Sequence, residues 1–563
     1  MKIRKPKFTK QHLYLFLIII IIAIPNILLV AVGEDSIVAS KLKKIVFLAF
    51  SIAVVITPLI FLKPKYYAWL GVLLLPILLF ETYNINLYKA PSSYEASALL
   101  FYTNAYESVE LFKGNLLYAL FFILLLAISI YLAIKIRRDF KLPKSQKIIL
   151  AVYVFTVFGA LFARDIKIAK SFEKDFVNQL DLGYSLFRSK IVKTFPTGNY
   201  IKLKSARKGI KSIKNYQKNI AGFKFNAIKK DSIKSDEIYV LVIGETARAA
   251  NFSLYGYERN TNPLLAQNSN VIAFDNVKSA ANLTSISLPF LVTRATPQDL
   301  NPKLNEPAII NAFKEAGFKT YWLSNQAAGL NNVFAFYSRL ADEYKNIAVS
   351  IDVAKYDEEL LPEFDSILND KSTHKKFIIV HTLGSHFRYN YRYPDTFEKF
   401  KPTLSKTLSL TGNSVKLKQE NINSYDNTIL YTDFILSEII NRLDKTNSIS
   451  YMYYISDHGE NLYDDDKELL MHGFIKPSKY EIEIPLILWN SDDYKEKYPK
   501  IIKNLRTHKN SRISATNTFH TLLDMANVSY KDESYKKSFA HKEFDTIQKR
   551  YLLSVDNKVL PLD

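Results

Sequence analysis

The chain of 563 residues contains no cysteine. Without thiols it forms no disulfide framework, and thiolate catalysis, iron–sulfur clusters and Cys-type zinc fingers are excluded. The length predicts two to four domains. The sequence contains no internal repeat and no sizeable low-complexity tract. Acidic residues are outnumbered, with 54 Asp and Glu against 75 Lys and Arg. That imbalance indicates an anionic partner, either a membrane surface or a nucleic acid.

The first 165 residues are rich in apolar runs. The first run has twenty residues without a charge, which is the length that crosses about 30 Å of hydrocarbon as a helix. A cleaved signal peptide would be one short run, so several long runs argue against it. The sequence therefore predicts a five-helix transmembrane domain over 1–165, with helices at about 13–32, 45–62, 66–80, 116–134 and 148–163.

The charges of the loops predict the orientation of this domain. With the N-terminus in the cytoplasm, the inside segments 1–12, 63–65 and 135–147 carry thirteen Lys and Arg, whereas the outside segments 33–44 and 81–115 carry five. The positive-inside rule therefore favours a cytoplasmic N-terminus. Five crossings then put the chain after about residue 164 outside the cytoplasm.

A basic bridging segment is predicted over 166–232. Residues 164–230 carry 17 Lys and Arg against four Asp and Glu, with apolar residues at partly helical spacing. A basic, amphipathic segment beside a membrane lies on anionic headgroups, so membrane lipids are an expected partner. An extracytoplasmic position argues against nucleic acid. A solvated linker is the alternative.

Residues 233–563 are predicted to form an α/β catalytic domain. Short β-branched or aromatic runs alternate with helical stretches, which is typical of a mostly parallel sheet sandwiched by helices. The predicted strands are 237–244, 319–324, 377–382, 451–456 and 485–489, and the clearest helices are 308–317 and 428–443.

Polar residues follow three of these strands directly. Glu245 follows the first strand, a segment from His381 to His386 follows the third, and Asp457 and His458 follow the fourth. Ligands bind at the carboxyl ends of parallel strands, and carboxylate and imidazole groups suit Zn²⁺. A lone histidine of this kind is more often structural, so the combination is what indicates a metal site.

A nucleophile is expected in the segment 278–290. It offers four hydroxyls, which belong to Ser279, Thr284, Ser285 and Ser287. A hydroxyl needs a base or a metal to become a good nucleophile, and at a helix start it would meet backbone N–H groups suited to phosphate. Ser and Thr are also ordinary N-caps. Composition alone does not choose among the four.

Together these segments resemble the membrane phosphoethanolamine transferases of Gram-negative bacteria, a family that includes lipid A modifiers linked to polymyxin resistance. The resemblance covers nearly the whole chain and implies five spans, a bridge and an alkaline-phosphatase-like domain. The matching segments are VIGETARAANFSLYGYERNTNP (242–263), TSISLP from Thr284, HTLGSH (381–386), YDNTILYTD (425–433), ISDHGENL (455–462) and MHG (471–473).

The resemblance implies a zinc site with its own nucleophile. One Zn²⁺ is implied, with a second left open, and its ligands would be Glu245, Thr284, Asp457 and His458. Thr284 would be the nucleophile, because coordination favours its alkoxide. Where many relatives have cysteines flanking this loop, the chain has Ala280 and Phe290.

The resemblance also implies residues that bind the donor. His386 and His472 would lie on the phosphate side, binding the donor, holding a second metal or donating a proton. Asn325 lies in WLSNQ (322–326), which looks like the branch that acts on core sugars or other glycans. Asn325 and Glu107, in TNAYES (103–108), would contribute to binding the donor.

The implied reaction has two steps. Thr284 attacks the phosphorus of phosphatidylethanolamine, giving a phosphoethanolamine-threonine intermediate and releasing diacylglycerol. An acceptor on lipid A, the lipopolysaccharide core or another envelope glycan then takes the group. The expected protein is a monomer of the bacterial inner membrane, with a periplasmic catalytic domain.

Four other functions are compatible with parts of this pattern. A phosphoglycerol transferase of the lipoteichoic acid type is disfavoured by the sequence motifs GETAR and HTLGSH. A membrane-anchored phosphatase would use the same metal site. A sulfatase needs Cys or Ser, then Pro two and Arg four positions on; Ser287 and Pro289 begin that pattern, but residue 291 is Leu. An inactive binding homologue is disfavoured because all four zinc-site residues are retained.

Overall fold

The computed structural model describes residues 9–33, 36–92, 97, 116–170, 176–231, 234–326, 334–348, 355–405, 417–464, 466 and 468–563. Glu107, named above for donor binding, lies outside these residues. The chain divides into two compact units, Met1–Ile210 and Lys211–Asp563.

The described residues before 221 are almost wholly helical. Their helices are Lys10–Val32, Lys41–Ile56, Pro58–Phe61, Pro64–Tyr88, Leu116–Lys135, Lys144–Ala169, Phe176–Lys193 and Thr197–Ile220. Each of the five apolar runs coincides with a helix or, for 45–62, with two helices that meet at Thr57 and Pro58. The short runs that begin at 66 and 148 belong to helices of 25 and 26 residues.

Several of these helices have the length and composition of membrane spans. Within the described residues four meet both conditions, namely Lys10–Val32, Lys41–Phe61, Pro64–Asn86 and Lys144–Ala169. A fifth, shorter apolar stretch, Leu120–Lys135, lies within the helix Leu116–Lys135. The prediction of several apolar N-terminal helices is confirmed, whereas their topology stays a prediction.

A buried polar cluster lies in the first unit at the end of one apolar helix. The Glu81 carboxylate accepts hydrogen bonds from Ser92 Oγ and Asn199 Nδ2, both at 2.5 Å. Lys202 Nζ lies 3.5 Å from Glu81 and donates to the Ser92 carbonyl at 2.8 Å. A polar group buried among apolar helices is costly unless it is hydrogen-bonded, and these contacts supply the partners of Glu81.

The strands in the described part of the second unit are β1 Ile228–Lys229, β2 Glu237–Gly244, β3 Val271–Ala273, β4 Val277–Lys278, β5 Lys319–Ser324, β6 Glu343–Asn346, β7 Lys375–His381, β8 Ile449–Ser456, β9 Asn461–Leu462, β10 Leu470–Met471, β11 Leu486–Asn490, β12 Ile513–Ser514, β13 Val528–Ser529, β14 Tyr551–Leu553 and β15 Val559–Pro561. Seven of them form one large sheet in the order β3-β11-β8-β2-β7-β5-β6. All five predicted strands are present in the large sheet.

The large sheet is mostly parallel. β2 is the central strand and pairs in parallel with β7 and β8, and β5 pairs in parallel with β7 and β6. β11 is the exception, because it runs antiparallel to both of its neighbours, β8 and β3. The predicted architecture of a mostly parallel sheet is therefore confirmed, with one reversed strand.

Helices cover both faces of this sheet, as predicted. Side chains alternate along β2, so that Leu241 packs into one core and Val242 into the other. All residues of β2 are buried, as expected for a strand covered on both sides. The helices of this unit are Thr284–Val292, Pro302–Asn305, Ile309–Glu315, Phe334–Ser338, Leu361–Leu368, Lys418–Asp444, Lys479–Ile482, Asp492–Lys497, Pro499–Thr507 and Thr518–Met525.

Truncating Leu241 should destabilise the second unit. Leu241 is fully buried in the central strand, so Leu241→Ala should lower the free energy of unfolding by about 2–5 kcal/mol through lost burial and a cavity. Denaturation can be followed by the fluorescence of Trp322 and Trp489, which are buried in the same sheet. Leu304→Ala, at a side chain that is 46% exposed, is the control and should change stability by less than about 0.5 kcal/mol.

Candidate active site

Four strands end at one edge of the sheet and bring polar side chains together there. Glu245 follows β2, Asp457 follows β8, Thr382 follows β7 and Gln326 lies two residues beyond β5. Because these strands are parallel neighbours, their carboxyl ends lie side by side. The site is therefore assembled by pairing of strands that are far apart in the sequence.

The backbone at the end of β2 is held in a strained conformation. Thr246 has φ +60°, a region that costs energy for a residue with a β-branched side chain. Its N–H donates to Asp457 Oδ1 at 3.0 Å, and its hydroxyl donates to Glu245 Oε1 at 2.8 Å. These two hydrogen bonds compensate for the strain and orient both carboxylates.

Glu245, Asp457 and His458 form a compact buried group. One potential ligand atom of each lies within 4.8 Å of the others. His458 Nε2 is 3.3 Å from Asp457 Oδ2 and 3.8 Å from Glu245 Oε1. His458 Nδ1 lies 2.9 Å from the Gly459 carbonyl. A proton on Nδ1 would leave the lone pair of Nε2 free to bind a metal.

Thr284 is the hydroxyl that reaches this group. It is the first residue of the helix Thr284–Val292, and its Oγ1 lies 3.0 Å from Glu245 Oε1 and 3.1 Å from His458 Nε2. The other three hydroxyls of the segment have different partners, and Ser287 comes near the group through Asp457. Ser279 Oγ donates to the carbonyls of Ala281 and Asp457, Ser285 is exposed, and Ser287 Oγ is 3.5 Å from Asp457 Oδ2.

The electrostatics of the group favour a cation. Burial, followed by the charge of Asp457, raises the pKa of Glu245 well above its ordinary value. Burial lowers the pKa of His458, which favours the neutral imidazole that can act as a ligand. Two carboxylates, one imidazole and one hydroxyl are a donor set that fits Zn²⁺ with oxygen and nitrogen ligands. These residues would hold the metal.

His472 and His386 lie beside this group. The His472 ring centroid is 4.1 Å from that of His458, and His472 Nδ1 is 3.1 Å from Glu460 Oε2. Burial lowers the pKa of His472. Burial, followed by the charges of Arg392 and His472, lowers the pKa of His386 to about 3. Both imidazoles are therefore neutral near pH 7, and their predicted functional roles stay predictions.

Asn325 is buried and holds a loop. Its Nδ2 donates to Asp357 Oδ1 and to the Lys355 carbonyl, both at 2.9 Å. The Asp357 carboxylate also accepts the N–H groups of Leu383 and Gly384, at 2.8 and 2.9 Å. Asn325 thus supports the HTLGSH segment through Asp357, and its predicted contribution to donor binding stays a prediction.

Three residues of the site escaped the sequence analysis. Glu460 contacts His472, and Gln326 donates to Glu245 Oε2 at 3.1 Å. Both lie in family-like segments named above, ISDHGENL (455–462) and WLSNQ (322–326). Their closeness in sequence to predicted site residues could have identified them. Asp357 lies in no such segment, and nothing in the sequence marks it.

The second unit matches a known protein family. A family model described as Sulfatase matches residues 237–528, which is just over half of the chain. The chain belongs to the sulfatase family. Membership leaves open the specific activity within the family, and Leu291 still stands where the sulfatase pattern considered above requires Arg.

Curated relatives within this similarity are phosphoethanolamine transferases. The chain is 31% identical over 325 residues to phosphoethanolamine transferase EptC of Escherichia coli K12, which covers 56% of this chain and 55% of the relative. It is 33% identical over 273 residues to the Kdo(2)-lipid A phosphoethanolamine 7''-transferase of the same organism, which covers 46% of each. The chain thus spans about half the length of these curated relatives. The resemblance to phosphoethanolamine transferases that the sequence motifs predicted is confirmed.

A solved structure supports the fold of the second unit. The C-terminal periplasmic domain of Escherichia coli EptC, crystallised in complex with Zn, is 28% identical to the chain with a TM-score of 0.54. The match covers 60% of this chain and 95% of that domain. The predicted alkaline-phosphatase-like fold class is confirmed.

Adding a methyl group at Gly384 should disturb Glu245. Gly384 has φ +52°, and a Cβ there would lie 2.9 Å from the Glu245 carbonyl oxygen and 3.0 Å from its nitrogen. Gly384→Ala should therefore weaken zinc binding, measured by competition with a chromophoric chelator, as well as lower the thermal midpoint.

Gly317→Ala is the matched control, because Gly317 also has a positive φ but has open space around its Cβ position. It should lose only the roughly 1–2 kcal/mol that the left-handed conformation costs, with unchanged zinc affinity. Equal zinc affinities in the two variants would contradict the assigned role of the Gly384 turn.

Proposed function

We propose that this protein transfers phosphoethanolamine from phosphatidylethanolamine to a cell-envelope acceptor through a covalent intermediate on Thr284. The observation that carries the proposal is the position of Thr284 Oγ1 within hydrogen-bond distance of both Glu245 and His458. A nucleophile in contact with two of the three potential metal ligands is the arrangement required for metal-assisted displacement at phosphorus. Phosphoethanolamine is proposed as the transferred group because the curated relatives are named phosphoethanolamine transferases.

In the first step Thr284 Oγ1 forms a bond to the donor phosphorus, and the bond from phosphorus to the diacylglycerol oxygen breaks. The Thr284 hydroxyl, which lies 3.0 Å from Glu245 Oε1, gives up its proton to water as it ionises. The diacylglycerol oxygen takes up a proton from water as it leaves, while the neutral imidazoles of His386 and His472 would donate N–H hydrogen bonds to the phosphoryl oxygens. Bound zinc would supply Lewis-acid stabilisation of the alkoxide and of the charge on the phosphoryl oxygens.

In the second step an acceptor oxygen bonds to phosphorus and the bond from phosphorus to Thr284 Oγ1 breaks. Thr284 Oγ1 recovers a proton from the acceptor hydroxyl or, where the acceptor is a phosphate, from water. A phosphate or sugar hydroxyl of lipid A, of the lipopolysaccharide core or of another envelope glycan has the required chemistry. The name of one relative, which contains Kdo(2)-lipid A, is consistent with such an acceptor.

The proposed location follows from the donor. Phosphatidylethanolamine and diacylglycerol are membrane lipids, and in the described part of the first unit four helices have the length and composition of membrane spans. We place the protein in the bacterial inner membrane as a monomer, with a cytoplasmic N-terminus, the basic segment 166–232 on anionic lipid, and a periplasmic catalytic domain. Confinement to the bilayer would raise the effective concentration of the donor.

Intact-protein mass spectrometry tests the nucleophile and the donor together. The full chain in detergent, mixed with phosphatidylethanolamine, should gain one phosphoethanolamine unit, whereas Thr284→Ala should gain none. Thr284→Ser is the conservative control and should retain the adduct, because it keeps the hydroxyl.

The rival activities have different outcomes in the same experiment. An adduct formed only from phosphatidylglycerol would indicate a phosphoglycerol transferase. Diacylglycerol release without an adduct, with phosphoethanolamine accumulating in water, would indicate a phosphatase. Adduct formation by Thr284→Ala would refute the assignment of the nucleophile.

Metal removal should abolish the half-reaction reversibly. After chelation, with metal loss verified by elemental analysis, adduct formation should stop, and Zn²⁺ should restore it because the buried carboxylates need a cation beside the anionic phosphate. Asp457→Asn should need more Zn²⁺ for the same recovery. Full activity of the verified metal-free protein would rule out the metal-dependent mechanism.

A further inference from the structure

Gln326 connects three strand ends at the edge of the sheet. Its side chain, 7% exposed, extends from the end of β5. Its Nε2 donates to Glu245 Oε2 at 3.1 Å, beyond β2, and to the Thr382 carbonyl at 2.7 Å, beyond β7. One amide group therefore links the carboxylate of a potential metal ligand to the neighbouring strand.

The orientation of this amide is chemically determined. A carboxylate oxygen and a carbonyl oxygen can only accept hydrogen bonds, so the NH₂ of Gln326 must face both of them. The backbone of Gln326 is held as well. Its N–H donates to Ser324 Oγ at 3.1 Å, and its carbonyl accepts from Asn346 Nδ2 at 3.0 Å.

The two oxygens of Glu245 have different surroundings. Oε1 accepts hydrogen bonds from Thr246 and Thr284 and lies 3.8 Å from His458 Nε2. Oε2 accepts from Gln326. A rotation of the carboxylate that turned both oxygens toward His458 would break the hydrogen bond to Gln326.

We propose that Gln326 is a positioning residue that presents Glu245 to the metal through Oε1 alone. The inference rests on the proposed zinc-dependent function, but concerns a residue outside the ligand set. Hydrogen bonds to a metal-binding carboxylate restrict its orientation, and their loss typically weakens metal affinity or activity 10–100-fold. Without the amide, Oε2 would be buried with no donor, or the carboxylate would turn away.

The test measures the dissociation constant for zinc, by competition with a chromophoric chelator on the full chain in detergent. Gln326→Met keeps the length of the side chain and removes both donors. We expect it to raise the dissociation constant about 10–100-fold, with the metal-free protein still folded by circular dichroism. Should the methionine variant not fold, Gln326→Asn retains polarity but is one methylene too short to reach both acceptors, and should also raise the constant.

Gln548→Met is the matched control. Gln548 is a partly buried glutamine whose Nε2 also donates to a carbonyl, that of Arg512 at 2.7 Å, and to a side-chain oxygen, that of Asn517 at 2.9 Å. In the described part of the chain, Gln548 makes no contact with Glu245. The same substitution there should leave the dissociation constant within about 2-fold of the wild type.

A second comparison tests whether Gln326 acts through Glu245. In a Glu245→Ala background, Gln326→Met should change the remaining zinc affinity by less than about 2-fold, because the coupling between the two residues is gone. An equally large effect in both backgrounds would overturn the proposed route. Unchanged zinc affinity of Gln326→Met in the wild-type background would overturn the inference altogether.

Failure of the proposed function is distinguishable from failure of this inference. If the wild-type chain forms a zinc-dependent adduct on Thr284 while Gln326→Met binds zinc normally, only the role of Gln326 is wrong. If the wild-type chain binds no zinc and forms no adduct, the proposed function fails and this inference fails with it.

Discussion

The carboxylates of Glu245 and Asp457 are buried side by side, and most of the site serves to satisfy them. They follow β2 and β8, which pair in parallel up to Gly244 and Ser456, so the proximity of the two groups is imposed by the register of the sheet. Burial and mutual repulsion both disfavour two negative charges there. Donors to the carboxylates reduce this penalty, and a divalent cation would remove most of it.

The remaining polar groups are arranged around this constraint. Asp457 Oδ1 accepts the N–H groups of Thr246 and His458, while the Glu245 carboxylate accepts two hydroxyls and one amide. Thr284 is thus a donor to the buried acid as well as the proposed nucleophile. The hydrogen bond from Thr284 to Glu245 therefore stabilises the buried carboxylate and also holds the hydroxyl beside the potential metal ligands.

Prediction from the sequence was most successful where local patterns are strong. The strand predicted at 237–244 has the same bounds in the structure, because a fully buried strand is a continuous apolar run. The helix predicted at 428–443 begins ten residues earlier, at Lys418. Its first turns contain buried polar residues, such as Asn421 and Asn423, whose partners are supplied by tertiary contacts. Apolar periodicity cannot reveal a buried face of that kind.

The sequence by itself determined the class of the fold, the apolar helices and the segments in which the polar residues of the site lie, because each is a local property of residue type and spacing. Only the tertiary structure placed Thr284 beside Glu245, directed Asn325 to Asp357, and brought Gln326 to Glu245. Those contacts join residues that are 39, 32 and 81 positions apart in the chain, respectively. Such contacts are set by how distant strands pair, which no local pattern records.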